Sequence, residues 1–130
     1  MKRVFISFRV EDRAQVNGLR LLAANPRFDI EFYDESVRTP YNSNNEQYIR
    51  SQITEKINRT SITLCMLSQL TYTSQWVCWE LEESISKGNA IILMGLPNGP
   101  DNLILPLPVR GRQWWLWDIN RLQQMIEAAS

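Results

Sequence analysis

Two continuous apolar runs place the strongest constraint on how this chain can fold. Residues 61–67 read SITLCML, and residues 90–96 read AIILMGL. Neither run alternates apolar with polar residues, so each would be buried on both faces if it formed a strand. Strands of that kind are typical of the interior of a parallel sheet that carries helices on both sides. The two runs therefore predict an α/β fold.

The segments around these runs alternate between strand and helix patterns. Strands are predicted at residues 3–8, 29–33, 61–67, 90–96 and 113–117. Helices are predicted at residues 11–24, 45–58, 76–87 and 119–129. A chain of 130 residues suits one domain of common size. We therefore predict a single domain over residues 1–130, a flavodoxin-like three-layer sandwich around a mainly parallel five-stranded sheet.

The loops that follow the strands are the predicted place for a ligand. In open parallel sheets, ligands bind outside the carboxyl ends of the strands. The loops after the first three strands cover residues 8–12, 34–44 and 68–76. The loop at 34–44 is long and polar, and ordered loops of that length are often functional.

Composition excludes several functional classes. The 14 basic and 14 acidic residues balance, which argues against a nucleic-acid partner. No apolar stretch approaches the roughly 18 residues of a membrane span, and the opening residues do not resemble a secretory signal, so a cytoplasmic location is expected. Cys65 and Cys78 lie in apolar runs of a chain without histidine, so we expect buried free thiols rather than a metal site.

Apolar positions in the second and third predicted helices recur at helical spacing. Residues 45–58 place one stripe toward the core: Tyr48, Ile49, Ile53 and Ile57. Residues 76–87 place another: Val77, Cys78, Leu81 and Ile85. Trp76, Glu80, Glu83 and Lys87 form a neighbouring stripe, on which Glu80 lies nearest the apolar boundary and is open to partial desolvation. Spacing alone leaves a second interpretation, a solvated edge with an ion pair between Glu83 and Lys87.

Three separated segments resemble one protein family. They are VFISFRVED at residues 4–12, FYDESV at residues 32–37 with the loop behind it, and LSQLTYTSQWVCWELEESISKGNAIILM at residues 67–94. They are similar to the opening strand, the BB loop, and the Trp-x-x-x-Glu helix with its flanking turn and strand of TIR (Toll/interleukin-1 receptor) domains. The chain most closely resembles the TIR-like proteins of bacterial Thoeris antiphage systems.

The resemblance implies an activity and a site. Enzymatic members of the family cleave the nicotinamide–ribose bond of NAD+ with the Glu of Trp-x-x-x-Glu, which corresponds to Glu80. NAD+ would be the substrate and not a resident cofactor, and the product would be ADP-ribose or a cyclised ADP-ribose signal read by a separate effector protein. Glu80 would stabilise the oxocarbenium-like sugar, and Trp76 would stack on the nicotinamide ring.

Four further residues are weaker candidates for substrate contact. Phe8 and Arg9 could meet the adenosine or phosphate portion of NAD+, or could pack and face solvent respectively. Ser7 could turn its hydroxyl toward the loop end of the sheet or be buried and bonded to the backbone. Asp34 could line the site or form a turn. Three tryptophans are predicted to pack and not to form a ligand cage: Trp114, Trp115 and Trp117.

Two other functions remain open on the sequence. A non-catalytic TIR adaptor would bind other TIR domains through its loop and helix surfaces. A nucleoside deoxyribosyltransferase-like enzyme would share the sheet but use a covalent Glu. The resemblance to assembling TIR domains also implies self-association, with the loop at residues 34–44 laid against another copy. Because the chain has no G-x-G-x-x-G fingerprint, recognition of NAD+ rests on the family resemblance.

Overall fold

The computed structural model describes residues 2–18, residues 46–129 and the backbone of residues 28–31. In that part of the chain four strands form one parallel sheet in the order β2-β1-β3-β4. They are β1 (Lys2–Phe8), β2 (Phe28–Glu31), β3 (Ile62–Leu67) and β4 (Ala90–Gly95). The predicted parallel α/β architecture is confirmed.

Helices follow the strands and cover the sheet. They are α1 (Arg13–Asn17), α2 (Glu46–Asn58), α3 (Gln75–Ser86) and α4 (Ile119–Ala128). Short 3-10 turns occur at Val10–Asp12, Thr71–Thr73 and Leu107–Val109. Ser74 caps α3 by accepting a hydrogen bond from the backbone N–H of Val77, and Asp118 caps α4 in the same way through Arg121.

The fifth predicted strand, at residues 113–117, is reduced to one parallel bridge between Met94 and Trp115 in the described structure. The Trp115 N–H donates to the Leu93 carbonyl at 2.9 Å, and the Gly95 N–H donates to the Trp115 carbonyl at 2.8 Å. The neighbouring residues are exposed or half-buried. Their backbone groups can therefore bond water, and no ladder is needed to satisfy them.

The sheet carries one core on each face, which gives the three layers. Side chains alternate along each strand, so one strand serves both faces. We call the first the α1/α4 face; its buried residues are Val4, Ile6, Val16, Ile62, Leu64, Met66, Ile92, Met94, Leu96, Leu122 and Ile126. We call the other the α2/α3 face; its buried apolar residues are Phe5, Ile49, Ile53, Ile57, Cys65, Leu67, Val77, Trp79, Leu81, Leu93, Leu105 and Val109.

Two helix predictions need correction. Tyr48, placed on the buried stripe of α2, is 61% exposed. It precedes Ile49 by one residue and is therefore rotated about 100° away from the line through Ile49, Ile53 and Ile57. The first helix was expected at residues 11–24; a 3-10 turn and α1 occupy its beginning, and residues 19–24 lie outside the described residues.

The cysteines differ from each other in burial. Both are free thiols, but Cys65 is buried and Cys78 is only half-buried, so the expectation of two buried thiols is right for Cys65 alone. Within the described residues no cluster of three or more His, Cys, Asp or Glu is placed to hold a metal ion. No helix found there is both long enough and apolar enough to cross a membrane.

Candidate active site around Glu80

Glu80 lies on α3 and faces the end of β1. Only 4% of its surface is exposed, and the Ser7 hydroxyl donates a hydrogen bond to Glu80 Oε1 at 2.6 Å. Ser7 is itself buried and is the penultimate residue of β1. The carboxyl group is therefore held at the carboxyl end of the sheet, where parallel α/β folds bind ligands.

Two small side chains of the sheet face Glu80. Ser7 of β1 is in register with Cys65 of β3, and both point toward the α2/α3 face. Burial raises the pKa of the Cys65 thiol, and the negative charge of Glu80 raises it further. Cys65 therefore stays a neutral thiol beside the carboxyl group and offers it no positive charge.

The environment disfavours ionisation of Glu80. Burial raises the pKa of Glu80 from 4.5 to about 8, and the hydrogen bond from Ser7 opposes that rise. Desolvation is the larger effect because the carboxyl group is removed from water, whereas one hydroxyl donor replaces only part of its hydration. The protonated form of Glu80 is therefore favoured in the free protein at pH 7. Perturbed carboxyl groups of this kind are concentrated at functional sites.

Trp76 lies one helical turn before Glu80 and is half-buried. It packs against the α2/α3 core, where its ring meets that of Trp79 edge to face with centroids 5.9 Å apart. The guanidinium of Arg50, on α2, lies 5.1 Å from the centre of the Trp79 ring. Trp76 and Glu80 are thus neighbours on one helix, as their spacing predicted, but Trp76 already has an aromatic partner.

The buried face of α3 is wider than predicted. Its buried residues are Val77, Trp79, Glu80, Leu81 and Ser84, whereas Cys78 and Ile85 are half-buried. The prediction of Cys78 and Ile85 as core residues is wrong in degree because α3 packs against both the sheet and α2, which shifts its buried arc toward Trp79. Helical periodicity could have included Trp79, since it lies three residues after Trp76.

A second buried polar pair lies between β3 and α3, and the sequence analysis did not identify it. The Thr63 hydroxyl of β3 donates to Ser84 Oγ at 2.7 Å, and Ser84 Oγ donates to the Glu80 backbone carbonyl at 2.8 Å. Both side chains are fully buried. The only sequence signal was a hydroxyl residue within each apolar pattern.

The remaining candidates are not gathered around Glu80. Phe8 packs on the α1/α4 face, the side of the sheet opposite to Ser7 and Glu80. Arg9 forms an ion pair with Glu11 at 3.1 Å. Asp34 and the loop at residues 34–44 lie outside the described residues. Trp115 and Trp117 pack against the α1/α4 core and Trp114 against the other, so the packing prediction for them is confirmed.

Arg9 also lines a cavity at the carboxyl edge of the sheet. The cavity encloses about 290 Å³ between the loops that follow β1, β3 and β4. Its lining residues are Arg9, Asp12, Gln15, Leu67, Ser68, Gln69, Leu70, Leu96, Pro97, Asn98, Gly99 and Pro100. Ser68 Oγ donates to Asp12 Oδ2 at 2.5 Å and fixes one wall. Sequence reasoning had indicated the loops but not Asp12 or Ser68.

The chain is similar to known proteins both in sequence and in fold. Residues 5–101 match the family described as Thoeris protein ThsB, TIR-like domain. A relative from Bacillus cereus (strain MSX-D12), ThsB1, is provisionally named a cyclic ADP-D-ribose synthase. It is 30% identical over an alignment of 100 residues that covers 70% of this chain and 50% of that protein. The chain thus matches about half the length of this curated relative.

Two solved structures share the fold. The Clostridium botulinum CMP N-glycosidase BcmB has a TM-score of 0.62 at 12% identity, over 97% of this chain and 99% of that one. The TIR domain of the Toll-related receptor TRR-2 from Hydra magnipapillata has a TM-score of 0.61 at 17% identity, over 95% and 97%. Identities this low show the fold alone. The sequence match and the parallel sheet together show that this chain belongs to the TIR-like domain family of Thoeris ThsB proteins.

Proposed function

We propose that this chain cleaves the nicotinamide–ribose bond of NAD+ with Glu80 as the catalytic carboxylate. The observation that carries the proposal is the buried Glu80 carboxyl group, held by Ser7 at the carboxyl end of β1. The name of the Bacillus cereus relative, a cyclic ADP-D-ribose synthase, points to the same substrate class. NAD+ is consumed as the substrate, and no cofactor is assigned.

The chemistry suits a carboxylate that works without a strong acid. When the ribose C1′–N bond of NAD+ breaks, the bonding electron pair neutralises the nicotinamide nitrogen, so the leaving group needs no proton. The sugar becomes an oxocarbenium-like cation, which an adjacent carboxylate stabilises. The cationic nicotinamide ring would lower the pKa of Glu80 from its raised value, because an opposite charge favours the ionised carboxyl group.

The second half of the reaction decides the product. Attack of water on C1′ gives ADP-ribose, whereas attack of an adenine nitrogen gives a cyclic ADP-ribose. The name of the relative favours the cyclic product. In a Thoeris setting that product would act as a diffusible antiphage signal for a separate effector protein, which we propose as the functional partner.

Trp76 and Arg9 are proposed to bind the two ends of the dinucleotide. The exposed part of the Trp76 ring would stack on nicotinamide beside Glu80. Arg9 lies two residues beyond Ser7, about 7 Å along an extended strand, and lines the cavity of about 290 Å³. A guanidinium at that distance suits the phosphates of an extended NAD+ molecule. Phe8 lies on the opposite face of the sheet, so we assign it no contact with the nicotinamide end.

A non-catalytic TIR adaptor is the second candidate. The observation that favours it is the burial of Glu80, which is only 4% exposed and would have to be uncovered for a ribose to reach it. An adaptor would bind TIR partners and leave NAD+ intact. Incubation of the protein with NAD+, in parallel with expression in phage-challenged cells, separates the two functions.

The decisive experiment is a pair of matched Glu→Gln variants on α3. We expect Glu80→Gln to lower nicotinamide release roughly 100-fold or more, because the change keeps the side-chain size but removes the charge that stabilises the cation. Glu83→Gln, a half-buried position on the same helix, should retain activity. Nicotinamide and cyclic products are measured by chromatography, with circular dichroism as the folding control.

Two outcomes would redirect the assignment. Equal turnover by the folded Glu80→Gln variant and the wild type would remove Glu80 from the mechanism. A glycosyl adduct on Glu80 detected by mass spectrometry would favour the deoxyribosyltransferase-like reaction, in which the Glu becomes covalently attached.

We also propose that activity rises with self-association. A neighbouring copy would exclude water from the rim of the sheet, and its loop at residues 34–44, which lies outside the described residues, is the proposed cover. We expect the rate per molecule of nicotinamide release to increase from nanomolar to high micromolar protein, in step with light scattering. A constant rate per molecule from a monomer throughout that range would show that each copy carries a complete site.

A further inference from the structure

The short hydrogen bond between β1 and α3 gives Ser7 a different role from substrate contact. We propose that Ser7 is a positioning residue, whose hydroxyl fixes Glu80 Oε1 so that the carboxyl group presents Oε2 to the ribose. The orientation toward ribose rests on the proposed NAD+ cleavage. The contact between the two side chains does not.

The hydrogen bond to Glu80 argues against a direct contact between Ser7 and a substrate. Ser7 is 1% exposed, and its single hydroxyl proton is donated to Glu80. A ribose hydroxyl or phosphate oxygen would have to displace Glu80 in order to receive that proton. Ser7 therefore acts on the reaction through Glu80.

The backbone around Ser7 is well suited to holding a donor in place. β1 lies between β2 and β3 in the sheet, and Ser7 is paired in register with Cys65. Ladder bonds fix the strand, and a Ser side chain has one rotatable bond before its hydroxyl oxygen. Glu80, in contrast, has three side-chain torsions, so one fixed donor removes much of the freedom of its carboxyl group.

The two oxygens of Glu80 are in different situations. Oε1 accepts the Ser7 bond, whereas no described residue donates a hydrogen bond to Oε2. A carboxylate with one anchored and one available oxygen can hydrogen-bond a sugar hydroxyl while it stabilises charge at C1′. This arrangement suits a carboxylate that acts on a bond to ribose.

Among the described residues around Glu80, Ser7 is the one whose hydrogen bond favours the ionised carboxyl group. Cys65 faces it from β3 as a neutral thiol. Arg50 of α2 lies over the Trp79 ring, and Glu83 lies on α3 itself and is half-buried. A donated hydrogen bond stabilises the ionised carboxyl group, and Ser7 accordingly lowers the pKa of Glu80 against the effect of burial.

The test compares three variants by two measurements. Ser7→Ala removes the donor, Ser7→Thr keeps a hydroxyl, and Ser84→Ala removes an equally buried hydroxyl that bonds the Glu80 backbone and not its carboxyl group. The ionisation of Glu80 is followed by carboxyl ¹³C NMR, assigned through Glu80→Gln. The rate of nicotinamide release is measured from pH 6 to pH 9.

The expected result has a direction in each measurement. In Ser7→Ala the Glu80 titration and the acidic limb of the rate profile both move to higher pH, and the rate at pH 7 falls about tenfold, as for the loss of a bond to a charged group. Ser7→Thr restores part of the change, and Ser84→Ala leaves both midpoints in place. If Ser7→Ala fails to fold, Ser7→Cys takes its place, because it keeps a side chain of similar size but has only a weak S–H donor, and the same displacement is expected.

Two results would overturn the proposal. One is an unchanged Glu80 titration in folded Ser7→Ala. The other is an equal displacement of the midpoint by Ser84→Ala, which would show a general effect of losing a buried hydroxyl. The two proposals can also fail separately. If the wild type leaves NAD+ intact but Ser7→Ala still displaces the Glu80 titration, the proposed function is refuted and the positioning of Glu80 by Ser7 is supported.

Discussion

The two faces of the sheet are built from the same strands but have different chemical characters. The α1/α4 face buries a large cluster of apolar side chains. The α2/α3 face also buries hydroxyl and carboxyl groups between the sheet and α3: Ser7, Thr63, Glu80 and Ser84. In β3 the division falls between adjacent residues, since Leu64 points to one face and Thr63 and Cys65 point to the other.

The α1/α4 face contributes to stability through apolar burial, whereas the α2/α3 face also holds the polar groups that could act on a substrate. Apolar burial is favourable without any partner, whereas each buried polar group costs free energy unless it is hydrogen-bonded. On the α2/α3 face Ser7 bonds Glu80 and Thr63 bonds Ser84, so the costs are partly offset. The pKa of Glu80 is still raised, so burial of its ionised form costs free energy. Substitutions on the two faces should therefore change different measured quantities.

The largest stability loss expected from truncating one apolar side chain comes from the α1/α4 face. Leu122→Ala, at a fully buried position of α4, should lower the free energy of unfolding by about 3 kcal/mol, because it removes buried methyl groups and leaves a cavity. Urea unfolding measures the loss. The pH midpoint of Glu80, followed by NMR, should stay in place, and a displaced midpoint would show that the two faces are coupled.

The pH dependence of stability separates the charge of Glu80 from its packing. The folded state raises the pKa of Glu80 from 4.5 to about 8, so it binds the proton more tightly than the unfolded chain does. The contribution of Glu80 to stability is therefore full below about pH 4.5 and falls as the pH rises toward about 8. The slope is at most about 1.4 kcal/mol per pH unit.

Glu80→Gln tests this dependence because Gln cannot ionise. Relative to wild type, the variant should gain stability steadily between pH 5 and pH 8, as measured by urea unfolding at each pH. Glu83→Gln serves as the control and should run parallel to wild type. If Glu80→Gln also runs parallel, the carboxyl group is already ionised in the folded state and the assigned pKa is wrong.

The smallest expected effect compares one tryptophan from each face. Trp76→Ala should weaken NAD+ cleavage about fivefold through both binding and rate, since aromatic stacking contributes about 1 kcal/mol. Trp117→Ala removes a half-buried ring from the α1/α4 side and should leave the KM for NAD+ unchanged. Steady-state kinetics of nicotinamide release separate KM from kcat. If Trp76→Ala releases nicotinamide as fast as the wild type does, Trp76 does not stack on the substrate.

Most strands and helices could be predicted from the sequence, because in these segments the spacing of apolar residues agrees with the burial found in the structure. The apolar runs at β3 and β4 lie within one residue of their predicted bounds, and α2 and α4 each end or begin where helical spacing indicated. The Trp76–Glu80 pair also lies on one helix, as its spacing required. The last predicted strand is reduced to one bridge at Trp115, because the pairing of an edge segment depends on its neighbours and not on its own pattern.

The sequence by itself determined the α/β order, the buried strands and the placement of Glu80 at the boundary of an apolar stripe. Tertiary structure decided that Glu80 is buried and bonded to Ser7, a residue 73 positions away in the chain. Helical periodicity specifies the direction of a side chain around its own axis, but not how far neighbouring elements enclose it. Because α3 packs on both β1 and α2, a residue at the edge of the predicted stripe became a buried acid with a raised pKa.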